Sequence, residues 1–303
     1  VIAAVGAEPP RHDDDPVPMR FDASKSAWLA AMLGPAVLVG PAVATPAHLA
    51  VAAALTVVTV TLGHTVGLHR GIIHRAYRMP TWLRRCFAVC FALTGLGGPH
   101  AWLVQHHLRD HYQGQPGAPP TMTFDHSVWR DAWWTLACAA HPANPSAVPI
   151  PPDDDHDPWL RAVDRAFFPL QAAQAAALAA LGGWPLVVTA LCGRNAVVLL
   201  GHWWVGWLAH TGGARRYTID GVAEQGFNLP LLGVLSFGEG FHNNHHAAPT
   251  SARIGRAPFE LDLGWWVIRA LERAGLVWDV QHPTDLDDLL RPGARRLPAG
   301  RSA

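Results

Sequence analysis

Eight histidines in this chain are spaced in a way that could do metal chemistry: His69-x4-His74, His107-x3-His111, a lone His210, and His242-x2-His245-His246. Neutral imidazole is the commonest nitrogen ligand for transition metals. Three imidazoles within His242-Asn243-Asn244-His245-His246 would repel one another if protonated, and such a run seldom helps packing. Eight imidazoles exceed the needs of one six-coordinate ion, whereas two ions with four or five ligands each use nearly all of them. Imidazole suits Fe, Cu, Zn and Ni alike, so ligand type alone does not choose the metal. Zinc has no redox chemistry. Iron with O2 can attack an unactivated C–H bond.

The elements that must position these residues are apolar and long. Charged residues make up 15% of the chain, against about 25% in ordinary globular domains. No Asp, Glu, Lys or Arg occurs from Ser26 to His69, from Ala166 to Gly193, or from Asn195 to Ala214. A bilayer-spanning helix needs about 20 such residues. The pattern predicts an all-α integral membrane protein with four transmembrane helices in two hairpins. The expected spans are 26–44 and 48–68, broken near Thr45-Pro46, and 167–181 and 186–209, broken near Gly182-Gly183-Trp184-Pro185 or around Arg194.

Arg70, Arg75, Arg78, Arg84 and Arg85 follow the second span, and Arg215 and Arg216 follow the fourth. By the positive-inside rule both hairpins open to the cytoplasm. All four histidine groups then lie in a cytoplasmic cap holding a dinuclear metal site. Residues 1–25, rich in Pro and Asp, are expected to be disordered, with no cleavable leader evident and the first span acting as the insertion signal. Residues 26–285 form one domain, and 286–303 a flexible tail. Net charge is zero with His neutral, and no basic run points to nucleic acid.

Read through Gly67-Leu68-His69-Arg70-Gly71-Ile72-Ile73-His74-Arg75, His107-Leu108-Arg109-Asp110-His111 and Gly238-Glu239-Gly240-Phe241-His242-Asn243-Asn244-His245-His246, with Leu208-Ala209-His210, the chain resembles the membrane-bound fatty acid desaturase family. Within that family it is similar to the acyl-CoA delta-9 desaturase-like branch, in a bacterial form. The resemblance implies a di-iron centre using O2 and two electrons to remove two hydrogens from an acyl chain. The implied ligands are His69, His74, His107, Asp110, His111, His210, His242, His245 and His246.

Two positions depart from the family pattern. The second box is usually His-x2-His-His, and here Asp110 stands where the first paired histidine belongs. A carboxylate can bind iron; alternatively Asp110 accepts a hydrogen bond that orients His111. Gly206 stands where Asn is usual, four residues before the extra histidine. Behind the ligands, His64, His106, His202 and Glu239 are candidates for support, and a one-residue shift would let His106 exchange roles with His107. His202 and His210 are about 80° apart around a helix, so both could face one cavity.

The leading function is therefore a fatty acyl desaturase embedded in the bacterial inner membrane. Its expected partners are an acyl chain on CoA, acyl-carrier protein or a lipid, and a separate electron carrier such as a ferredoxin or a cytochrome b5-like protein. A hydroxylase on the same centre is the alternative, and a non-catalytic metal-binding membrane protein is the second.

Overall fold

The computed structural model describes residues 16–282 and 286–298. It is mostly helical, with two helices long and apolar enough to cross a membrane, Pro46–Ile73 and Phe167–Thr211. A shorter apolar helix, Ala23–Leu38, precedes them, capped by Asp22, whose side chain accepts from the Lys25 amide. Thr45 accepts from the His48 amide and starts the first long helix at the predicted break, with Pro46 in its first turn. Both choices suit a helix start, where the leading amides have no partner within the helix.

The second long helix is not straight. Gly182 and Gly183 leave helical backbone, Gly183 at φ 70°, a region that favours glycine. Beyond them the chain folds back. Arg194 Nη2 reaches Gln174 Oε1 at 2.9 Å and Asn195 Nδ2 reaches Gln171 Oε1 at 3.2 Å. Residues 20 apart on a straight helix would be about 30 Å apart. Met32, Leu178, Leu186, Ala190 and Leu191 form the apolar core between these arms and the Ala23–Leu38 helix.

Arg194 is the one charge within these apolar arms, and it is buried. Its guanidinium donates to Thr59 Oγ1, the Leu93 carbonyl, Gln174 Oε1 and the Ala190 carbonyl. The cation thus ties the two long helices to the end of a third, Thr81–Ala92. In a medium without water such groups must find partners inside the protein.

The first long helix changes winding where the chemistry begins. From Thr59 to Ile73 it is π-helical. In an α-helix, residues five apart point about 140° away from each other. The wider i→i+5 turn brings them nearly over one another, and π segments are often found at functional sites. His64, His69 and His74 are five apart, and their rings follow in sequence, 6.0 Å and 4.8 Å between centroids.

This helix packs closely on Thr81–Ala92. A Cβ on Gly63 would lie 2.5 Å from the Cys90 carbonyl carbon and the Phe91 nitrogen, both backbone atoms that cannot rotate away. Gly63→Ala is expected to cost about 1–3 kcal/mol by forcing the helices apart, read as a lower Tm in detergent.

The structure has Thr81–Ala92, then positive-φ Gly95 and Gly97, then the helix Pro99–Gln113. Asp164 caps that second helix by accepting from the His100 and Ala101 amides, 2.9 Å each.

The termini differ from expectation where they are described. Met19–Phe21 pairs antiparallel with Cys138–Ala140, and Ala294–Arg296 pairs with Tyr217–Ile219. Neither three-residue strand has the length to announce itself by alternation. Both are held by backbone hydrogen bonds to distant partners, which composition does not reveal.

Candidate metal centre

Four elements bring the histidines together. The π-helical end supplies His69 and, one residue past it, His74. The helix Pro99–Gln113 supplies His106, the end of Phe167–Thr211 supplies His210, and the short helix His242–Ala247 supplies the rest. Two groups result: His69, His74, His106 and His245, and separately His210, His242 and His246. Within each group the candidate ligand nitrogens all lie within 4.8 Å of one another.

The nitrogens face each other. His74 Nε2 and His106 Nε2 are 3.0 Å apart, as are His242 Nε2 and His246 Nε2. A single pair at that distance could share a proton. A proton bridges only two nitrogens, however, whereas three and four converge here. Two imidazoles each about 2.1 Å from one ion at a right angle also put their nitrogens ~3.0 Å apart. His210 Nε2 and His245 Nδ1 are buried without a hydrogen-bond partner, a costly state unless a ligand satisfies them. The donor set therefore fits a metal in each group.

The surroundings keep the imidazoles neutral. Burial pushes His106, His245 and His246 well below the ordinary histidine pKa, and neighbouring imidazoles add to the effect. Burial takes His242 down to about 4, against a partly opposing Glu239. Their lone pairs are free for a metal at neutral pH.

His245 lies at the junction of the two groups. Its ring centroid is 4.6 Å from those of both His69 and His74, 5.7 Å from His242 and 6.0 Å from His246.

Behind the first group stands a buried ionic set. Glu239 Oε2 lies 2.7 Å from His69 Nδ1, at hydrogen-bond distance though not aligned for one. The other oxygen of Glu239 accepts from Arg70, which also binds Asp262 and the Ala252 and Phe237 carbonyls. Gly238, at φ 113°, lets the chain pass: a Cβ there would sit 2.3 Å from Arg70 Nη2 and 2.4 Å from Asp262 Oδ1. Arg70 was expected only as one of the charges that set topology, and Asp262 carried no signal at all. The one clue was position, since Arg70 directly follows His69.

The remaining predicted site residues are placed as follows. His107, Asp110 and His111 lie on the same helix as His106 but outside both groups. Asp110 Oδ2 is 3.4 Å from His106 Nε2. The His111 ring sits against Gln115 and Tyr112. His64 and His202 have ring centroids 5.4 Å apart, and both pack on Trp102, as does His106. They stand behind His69 and belong to neither group. Cys86 and Cys90 are free thiols outside both groups.

A cavity of about 900 Å³ reaches both groups. Its walls include Trp28, Leu29, Phe167, Phe168 and Leu199 from the apolar helices, with Trp203 and Trp207 closer to the histidines. Trp203 donates its indole N–H to Asp131 at 2.8 Å, which fixes the ring. Pockets of this size, mostly apolar with a small number of placed polar groups, suit a small molecule.

The comparisons with known proteins agree with this geometry. The fatty acid desaturase family model matches residues 44–281. An sn-1 stearoyl-lipid 9-desaturase of Synechocystis sp. is 31% identical over 76% of this chain and 71% of its own length. One of the same name from Anabaena variabilis is 32% identical over 74% of this chain and 80% of its own. The chloroplastic palmitoyl-monogalactosyldiacylglycerol delta-7 desaturase of Arabidopsis thaliana is 32% identical over 76% and 61%. The matched region holds every histidine of both groups, and on these matches the chain belongs to the fatty acid desaturase family.

Proposed function

We propose that this enzyme desaturates an acyl chain carried on a membrane lipid, at a centre of two iron ions held by the two histidine groups. The observation that carries the reading is one cavity joining both groups to an apolar wall drawn from the shorter apolar helix Ala23–Leu38 and the membrane-length helix Phe167–Thr211. The two cyanobacterial relatives are named as acting on stearoyl-lipids, which favours a lipid-linked acyl chain over a CoA thioester.

Bound iron would supply the oxidising power for C–H cleavage, with O2 as the oxidant. In balance, the acyl chain gives up two hydrogens, two electrons and two protons are supplied, and both oxygen atoms leave as water. The chain's own residues do the rest. His69, His74, His106 and His245 would hold one metal, and His210, His242 and His246 the other. Glu239 places a carboxylate 2.7 Å from His69 Nδ1, a negative charge behind that ligand. Trp28, Phe167 and Phe168 exclude water and confine the acyl chain, so the bond broken is set by depth in the cavity. Electrons come from a separate carrier, of the ferredoxin or cytochrome b5-like kind.

In this reading four segments cross the membrane as two hairpins. Ala23–Leu38 and the two arms of Phe167–Thr211 join Pro46–Ile73, and the histidine groups face the cytoplasm of a bacterial inner membrane. The arginines after Ile73, several of them exposed, support that orientation.

The test is an intact-lipid mass-spectrometric profile of cells expressing the chain with an electron donor, beside a His245→Ala/His246→Ala control. We expect double bonds at one position in membrane lipids, absent from the control. A product carrying oxygen in place of a double bond would move the reading to a hydroxylase.

A further inference from the structure

The two histidine groups are unequal in ligands and in charge. The first has four imidazoles, with Glu239 2.7 Å from His69 and Asp110 3.4 Å from His106. The second has three imidazoles and Arg109 for a neighbour, whereas the cation behind the first group, Arg70, is held in ion pairs with Glu239 and Asp262. Arg109 follows His106 by three residues, so it shares that helix face and reaches the cavity one turn on. Its guanidinium lies over the Phe124 ring at 5.5 Å, and that ring stacks on His210 at 4.2 Å, nearly parallel.

The guanidinium sits beside Gly206, where a Cβ would lie 3.9 Å from Arg109 Nη1, an ordinary contact distance. The Gly206 carbonyl meanwhile accepts from His210 Nδ1 at 2.8 Å, which turns Nε2 toward His242 and His246. Among the described residues no carboxylate is in ion-pair contact with Arg109, and Asp131, Asp110 and Glu224 offset its burial only in part. An arginine stays protonated at any working pH.

Resting on the reading that both groups hold metal, we propose that this chain loads its centre in two separate steps. The His69–His74–His106–His245 group fills first and tightly, while Arg109 holds the His210–His242–His246 group to weak, last-filled binding. Two causes act together: one ligand fewer, and a fixed positive charge beside an incoming dication in a poorly screened cavity. Asp110 works in the opposite sense on the first group.

The experiment is equilibrium dialysis of the purified full chain against Co²⁺ alone, read by elemental analysis and by the visible spectrum of the bound ion. We expect one tight equivalent in the wild type and a second that needs at least about 10-fold more Co²⁺, the scale on which groups around a metal's ligands act. Arg109→Gln should tighten the second step by about 10- to 100-fold and retain a tight first step, changed much less, which also shows that the variant is folded. Arg109→Lys keeps the charge and should keep the gap. His106→Ala should remove the tight step and His246→Ala the weak one.

Two equal steps in the wild type, or an unchanged second step in Arg109→Gln, would overturn the inference. No Co²⁺ at either group would overturn it together with the metal-centre reading. Stepwise loading in a protein that never desaturates a lipid would leave the inference standing and remove only the acyl substrate.

Discussion

His106→Ala and His245→Ala are expected to lose the metal of the first group and to cut desaturation by more than about 100-fold, the upper range for residues that merely support a metal's ligands. His107→Ala and His111→Ala are expected to keep that metal. The contrast follows from helix geometry. His106 Nε2 meets His74 Nε2 at 3.0 Å, whereas His107, one residue on, is turned about 100° around the same helix, away from the cluster. His111 is spent on Gln115 and Tyr112. His245 carries the larger effect of the two variants, because its ring is within 4.6 Å of both His69 and His74 and links them to the other group. Elemental analysis of the four purified variants, with lipid profiles alongside, decides the matter. Full metal in His106→Ala with loss in His107→Ala would return the second box to its sequence register.

That shift of one residue shows where sequence reading stops. The spacing His107-x3-His111 is the one that a motif picks out, and His106 is visible beside it as an alternative. Only the direction of the helix, fixed by Asp164 at its start and by Trp102 against His64 and His202, chooses between neighbours. The third group was legible because its three histidines are close in the chain. His210 was legible because it ends a long apolar segment. The turn at Gly182-Gly183 and the start at Thr45-Pro46 could be read because glycine and proline act locally on the backbone. The π winding could not: the close approach of Gly63 to Cys90 and of Gly67 to Phe87 in that segment exists only in the fold. Asp262 is likewise invisible: it lies far along the chain from Arg70, and an isolated Asp ahead of an amphipathic helix reads as an ordinary cap, a role it also fills.

Arg70→Met should be the most damaging single change outside the histidines, costing about 3–5 kcal/mol, the usual result of removing one member of a buried ionic set. Arg70 is 1% exposed, and it sits between Glu239 and Asp262, which are also buried. Without it Glu239 and Asp262 each lose an ion-pair partner while remaining buried. The Ala252 and Phe237 carbonyls lose their donor as well. The consequence reaches the metal, because Arg70 positions the Glu239 carboxylate that lies 2.7 Å from His69 Nδ1 in the first group. Replacing the whole ionic set, Arg70→Met with Glu239→Gln and Asp262→Asn, should recover part of the stability, since removing all the charges together is far milder than removing one. It should not recover tight metal binding, because the negative charge facing His69 is gone. Denaturation in detergent and metal retention, measured on both variants, separate the two roles. Stability lost in Arg70→Met and not regained in the triple variant would mean that the shape of the guanidinium, wedged against Gly238 and Gly264, matters more than its charge.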